Sequence, residues 1–290
     1  MAITEEQLHD LEQIAAQMRL QIVRMMGSKK VHHFGGSLSA TDLIAALYFY
    51  KMRYDALNPA WPERDRFILS KGHSVPAQYV ALALKGVFPV AELATLKRLG
   101  SRLQGHPAMQ HTPGLEGCTG ALGEGLSFSN GLALAGRVRG LDYRVYCIMG
   151  DGELQEGQVW EAAMTTSRRG LSNVTAIIDR NRLKSMDEAE SAKCMEPLCE
   201  RWQTFGWVVR EIDGHDLREI CAALDWANEP RSEPAMIIAH TIKGKGVSFM
   251  EGQAKYHNAA ISDEQLQQAL GELSPKSGRE AQPSILGEKG

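Results

Sequence analysis

Long hydrophobic runs are missing from this chain. No stretch of the 290 residues approaches the roughly 18 consecutive apolar residues that a membrane-spanning helix needs. The N-terminus, MAITEEQLHDLEQ, is polar and acidic and lacks the apolar segment of a secretory leader. A strong charge of one sign is missing too. The net charge of −3 argues against a nucleic-acid or membrane surface as partner. Cysteine is sparse and unpatterned: Cys118, Cys147, Cys194, Cys199 and Cys221 are an odd number at scattered positions. That excludes a disulfide framework and reads as reduced thiols in a cytoplasmic protein. Cys194 and Cys199 have no second pair at ligand spacing, so zinc is rejected. There is no internal repeat. The length suits one large domain or two small ones, and the 43% apolar content is ordinary for a globular protein.

The richest stretch is residues 145–183. An apolar run, VYCIM, is followed by Gly150-Asp151-Gly152-Glu153, a helix-forming segment over 154–169, a second apolar run, VTAII, and then Asp179-Arg180-Asn181-Arg182-Leu183. The pattern predicts a βαβ unit. Asp151 and Asn181 fall just past the C-terminal ends of its two strands, the rim where open parallel sheets bind ligands. A carboxylate and an amide carbonyl are hard oxygen ligands suited to Mg²⁺ or Ca²⁺. Gly150 and Gly152 permit a tight turn whose N–H groups, near a helix start, favour a phosphate. A cation beside a phosphate site usually bridges the two, so the residues point to a metal–diphosphate site. Gly-Asp-Gly alone would read as a mere turn. The Asn that ends the next strand sharpens it.

The rest of the chain alternates in the same way. Thr4 with Gln7 predicts a capped helix ending near Gly27. A loop over 31–37 and a helix over 39–51 follow, then a strand over 65–70 that delivers Lys71-Gly72-His73 to a loop. Helices are predicted over 76–84 and 90–99, then a long loop over 100–120 and a helix over 126–139. After the central unit come a loop over 184–195, a helix near 196–205, a strand over 207–212, a helix over 216–228 and a strand over 234–241. Alternation of this kind predicts an α/β fold, a largely parallel sheet covered by helices on both faces. Beyond about Leu273 the sequence turns polar and reads as a flexible tail, so the ordered domain is set at 1–270 and the tail at 271–290.

Four of the nine histidines, His33, His73, His106 and His257, fall in glycine-rich or polar loops at element ends. A single loop histidine is most often a solvated surface residue. Four on one rim are a candidate cluster, and imidazoles titrate in the range that proton transfer near neutral pH requires.

With Gly-Asp-Gly, the following Asn, GDGELQEGQVWEAA and DRNRL in view, the chain resembles the transketolase family over about residues 10–265. The resemblance implies a thiamine-diphosphate-binding fold. Asp151, Asn181 and the backbone carbonyl of Leu183 would hold a metal, Mg²⁺ or alternatively Ca²⁺ or Mn²⁺, and the metal would hold the cofactor's diphosphate. It implies cofactor contacts at His73 (in SKGH), Gly120 and Leu122 (in TGALGEG), Gly150, Gly152, Glu153, Lys243 (in HTIKGKG) and His257 (in KYHN). His33, His73, His106 (in GHP) and His257 would serve catalysis and substrate binding, and Glu156 would lie at a subunit interface. The chain departs from the family where His32-His33-Phe34-Gly35 stands for Gly-His-Pro-Gly and where Gly120-Ala121-Leu122 stands for Gly-Pro-Leu. Neither change removes a ligand.

The implied activity is transfer of a two-carbon ketol unit from a ketose phosphate to an aldose acceptor, in pentose phosphate metabolism or a specialised catabolic route. The family's pyrimidine-binding domain, with its activating glutamate, is not in the sequence. The favoured expectation is therefore a split transketolase, in which a C-terminal partner subunit completes an α2β2 complex that self-associates through the Glu156 region. The alternatives are a piece of a longer protein, a non-catalytic cofactor-binding module, and the α subunit of a 2-oxo acid dehydrogenase, which shares Gly-Asp-Gly…Asn but does not account for SKGH, GHP and Lys-Gly-Lys-Gly.

Overall fold

The structure, a computed structural model, describes residues 3–183 and 195–275. Five strands, β1 (Arg66–Leu69), β2 (Val145–Gly150), β3 (Val174–Arg180), β4 (Val208–Asp213) and β5 (Ala235–His240), form one sheet in the order β1-β2-β3-β5-β4. Every pairing is parallel. The described helices are α1 (Glu5–Met26), α2 (Phe34–Ser39), α3 (Thr41–Ala46), α4 (Val75–Leu84), α5 (Glu124–Arg139), α6 (Gly157–Arg168), α7 (Leu198–Thr204), α8 (Leu217–Ala227) and α9 (Asp263–Leu273). None of the described helices is long and apolar enough to cross a membrane.

The inner strands read as continuous apolar runs because both of their faces are covered. Successive side chains serve opposite cores. Phe67, Leu69, Tyr146, Ile148, Ile177 and Ile237 pack with α1–α4 and α8. Ile68, Cys147, Met149, Ala176, Ile178 and Met236 pack with α5, α6 and α7. Edge strand β4 is only part-buried.

The capping box at Thr4 and Gln7 is present and starts α1. An equivalent box, Ser262 with Gln265, starts α9, which was not predicted although its signal is of the same kind. Two expectations need correction. The loop over 31–37 gives way to α2 from Phe34, despite paired glycines that disfavour helix. Those glycines are there for closeness: a Cβ on Gly35 would stand 2.6 Å from Cγ of Lys243, and one on Gly36 would stand 2.6 Å from Oγ of Ser74. The helix over 90–99 is a 3₁₀ turn over Val90–Thr95. Leu93 and Leu96 turn inward at a three-residue spacing while Leu99 is fully exposed, which suits the tighter helix. The predicted loop over 184–195 is described only from Met195, and Cys194 and residues 276–290 of the predicted tail lie outside the described residues.

Candidate active site

The C-terminal ends of β1, β2, β3 and β5 lie side by side, with Gly150 opposite Asp179 and Arg180 opposite His240. The sheet thus delivers Lys71-Gly72-His73, Gly150-Asp151-Gly152, Asn181-Arg182-Leu183 and Thr241-Ile242-Lys243 to one rim.

Asp151 is held by backbone donors. The N–H of Gly152 donates to Oδ1 at 2.8 Å and that of Arg182 to Oδ2 at 2.6 Å. Arg182 adopts a left-handed conformation, φ 60°, uncommon for a residue with a side chain. Burial, helped by Asp179, pushes the Asp151 carboxyl above the usual carboxylate range, against the pull of those N–H donors and of Lys243. The N–H of Leu183 donates to Oδ1 of Asn181 at 3.2 Å. The Leu183 carbonyl accepts from Nζ of Lys243 at 2.7 Å, and that ammonium also lies 3.3 Å from Nδ1 of His257. Lys243 is only 2% exposed. Burial lowers it to about 8, while Asp151 and Asp179 pull it back up. Among the described residues no three His, Cys, Asp or Glu side chains gather as a metal-binding group. The donor set here is instead one carboxylate, one amide oxygen and one carbonyl. All are hard oxygens of the kind Mg²⁺ and Ca²⁺ take, and a cation, the Lys243 ammonium, already rests against one of them.

The four histidines converge. Ring centroids of His33 and His73 are 4.9 Å apart, of His73 and His257 5.1 Å, of His33 and His257 5.4 Å, and of His33 and His106 6.3 Å. Burial and the neighbouring cations and imidazoles lower His33 and His257 to about 4 and His73 further still. His106 is lowered by burial and then by Lys97. At neutral pH the cluster is therefore uncharged.

Gly120, at φ 140°, lets the 119–123 loop pass over His106; a Cβ there would stand 2.6 Å from the ring. Leu122 of that loop is 39% exposed. Thr119 ties the loop to the sheet by donating to the Leu69 carbonyl at 2.6 Å. Glu153 is buried and turned inward. Its carboxylate accepts from the N–H of Gly123 at 2.8 Å, from the N–H of Gly150 at 3.1 Å and from the Ser70 hydroxyl. It therefore joins the 119–123 loop to the Gly150 turn. Glu156 is exposed at the start of α6, its stem against Gly123.

Sequence reasoning missed the residues beneath the rim. Asp179 is fully buried and forms an ion pair with Lys71. It also accepts from the hydroxyl of Ser39 at 2.6 Å and from that of Thr241, while Lys71 donates to the Gly36 carbonyl at 3.0 Å. Lys71 and the surrounding hydroxyls hold the Asp179 carboxyl below its usual range although burial alone would raise it. The available signal was a carboxylate closing the apolar run of β3, opposite a lysine closing that of β1.

A family profile described as transketolase, thiamine diphosphate binding domain, matches residues 11–277. The chain belongs to the transketolase family. It is 45% identical over 268 residues to the 6-deoxy-6-sulfo-D-fructose transketolase subunit SqwG of Clostridium sp. (strain MSTE9), covering 92% of this chain and 98% of that protein. It is 41% identical over 270 residues to one subunit of the apulose-4-phosphate transketolase of Phocaeicola vulgatus, covering 93% and 96%. The crystal structure of a Pichia stipitis transketolase variant superposes with a TM-score of 0.85 at 30% identity, covering 91% of this chain and 40% of that one. Transketolase membership sets aside the 2-oxo acid dehydrogenase alternative.

Proposed function

We propose that this chain is the diphosphate-binding subunit of a two-chain transketolase that moves a two-carbon ketol unit from an anionic ketose, such as a sugar phosphate, to an aldose. Asp151, Asn181 and the Leu183 carbonyl would hold a divalent cation, Mg²⁺ before Ca²⁺ or Mn²⁺. The diphosphate would lie at the Gly150–Gly152 turn, with Lys243, His73 and His257 beside it; the N–H groups of Gly150 and Gly152 themselves are taken by Glu153 and Asp151, which shape the turn. Gly120 and Leu122 meet the cofactor's pyrimidine side, and Glu153 positions both loops. When bound, thiamine diphosphate supplies the carbanion-stabilising chemistry of the reaction. The chain's own share is proton management. The uncharged His33, His73, His106 and His257 bond the hydroxyls and carbonyl of a sugar, take a proton from a substrate hydroxyl and return it.

The observation that carries the reading is the joint placement: four imidazoles within 6.3 Å of one another or of His33, on the same rim as an oxygen-only donor set. A partner chain supplies the pyrimidine-binding domain, in an α2β2 complex working in the cytoplasm. The word "subunit" in both relatives' names supports this, as does the 40% share of the Pichia stipitis chain that is covered. The 156 region serves self-association, supported by exposed Phe128, next to Ser127, whose hydroxyl accepts from the Gln158 amide at 3.2 Å.

The test is reconstitution with a pyrimidine-binding chain. Neither chain alone transfers ketol from a ketose phosphate, and the mixture does. Normal turnover by this chain alone would sink the two-chain reading. Asp151→Ala removes cation-dependent cofactor binding in calorimetry; retained binding would place the cation elsewhere. A complex that binds cofactor and moves no ketol would make the chain a non-catalytic module.

A further inference from the structure

Strand β5 ends at His240. Past it the N–H of Thr241 still reaches the sheet, donating to the Arg180 carbonyl at 3.1 Å. The next one does not: the N–H of Ile242 donates to Nε2 of His215 at 2.8 Å. His215 stands in the loop after β4, and Gly214 lets that loop close on β5. The Gly214 N–H donates to the His240 carbonyl at 2.8 Å, and a Cβ there would stand 2.5 Å from Cγ2 of Thr241. The other ring nitrogen of His215, Nδ1, lies 2.7 Å from Oδ2 of Asp42 in the first turn of α3. Asp42 is buried and also accepts from Arg19 of α1. Although burial alone would raise it, Arg19 and then His215 hold the Asp42 carboxyl below its usual range. An ionised carboxylate only accepts, so Nδ1 carries the proton. A backbone N–H only donates, so Nε2 keeps its lone pair. One neutral tautomer satisfies both partners.

The residue after Ile242 is Lys243, whose ammonium donates to the Leu183 carbonyl and lies against His257. On its other side the N–H of Gly244 donates to the Gly35 carbonyl at 3.0 Å. The backbone of Lys243 is therefore pinned between two anchors, Ile242 on His215 and Gly244 on α2. We infer that His215 is a positioning residue: held in one tautomer by Asp42, it fixes the Ile242 N–H and so aims the Lys243 ammonium at the Leu183 carbonyl and the diphosphate. The inference rests on the cofactor-binding reading of the rim. The two ring partners of His215, Asp42 and Ile242, are not among the proposed ligands, so its effect on the cofactor runs through Lys243. The relay reaches back through Asp42 to Arg19, and thus couples the rim to α3 and α1, on one face of the sheet.

Two measurements test it. On the cofactor-free chain, nitrogen NMR of the wild type shows His215 with a protonated Nδ1 and a bare Nε2, a reading that needs no variant to fold. The Lys243 side-chain resonances shift in His215→Leu and return towards their wild-type positions in His215→Gln, whose side-chain oxygen can accept from Ile242. The opposite tautomer, or Lys243 resonances that ignore both substitutions, would overturn the assignment. In the complex reconstituted with a pyrimidine-binding chain, thiamine diphosphate and Mg²⁺ are titrated by calorimetry. His215→Leu weakens binding by about tenfold, and His215→Gln recovers most of the loss. On a Lys243→Met background His215→Leu costs little more, because the interaction it serves is already gone. An equal loss on that background would mean that His215 supports the fold at large and does not act through Lys243. If the wild-type complex binds no thiamine diphosphate, the reading of the rim fails, and the NMR measurement still decides whether His215 positions Lys243.

Discussion

A histidine that folds into an uncharged, desolvated cluster must lose proton affinity, and His33 and His257 do so to about 4. The unfolded chain returns each to its ordinary value near 6.5. Their linkage to stability therefore has one sign. Above pH about 6.5 neither state holds the extra protons and the cluster makes no pH-dependent contribution. As pH falls from there towards 4 the unfolded state takes up protons that the folded state refuses, and stability declines. Thermal unfolding of the cofactor-free chain should show Tm falling across this window, with a shallower fall in His33→Asn. An unchanged slope in that variant would show that His33 is not held uncharged. The same property leaves the imidazoles uncharged at pH 7, each with a ring nitrogen that can accept a hydrogen bond from a sugar hydroxyl.

Between residue and fold stand the elements, and α2 approaches the rim closely. Gly36→Ala would place a methyl group 2.6 Å from the Ser74 hydroxyl and 3.5 Å from Nε2 of His73. Overpacking of this kind costs about 1–3 kcal/mol. Chemical denaturation should show a loss of that size, and the His73 resonance should shift; full stability with an unshifted ring would show that the contact relaxes freely. This contact also explains where the sequence was readable. The strands, α1, α4, α5 and α8 follow from periodicity and caps, because their local preferences agree with their burial. In α2 and in the Val90–Thr95 turn local preference is overruled by tertiary contact, by Lys243 and Ser74 pressing on bare backbone and by Leu93 and Leu96 reaching the core. The site divides likewise. Asp151, Asn181 and the loop histidines were legible because polar residues at strand ends in a parallel sheet have few other uses. Glu153 turned inward and the Asp179 network were not, since each depends on which remote loop comes to meet it.

Across the whole molecule, Asp179 joins four separate lengths of chain: the Ser39 end of α2, Lys71 after β1, its own strand β3 and Thr241 after β5. Removing one partner of a buried ion pair costs about 3–5 kcal/mol because the other charge is left uncompensated. Asp179→Asn should lower stability by that order in urea titration, and should weaken cation-dependent cofactor binding although Asp179 is not among the proposed ligands. A variant with undiminished stability and affinity would show that the rim does not depend on this anion.

The sheet itself divides the molecule into two interiors, and adjacent residues of each inner strand belong to different ones. Deleting a single residue within β3 is therefore a transposition: every side chain beyond the cut changes rooms, and both interiors are spoiled at once. The connections past the strand ends carry no such parity. Lineages built on this platform are free to lengthen, shorten and re-letter their loops, and so to change which sugar they handle, while the arithmetic of the strands stays frozen.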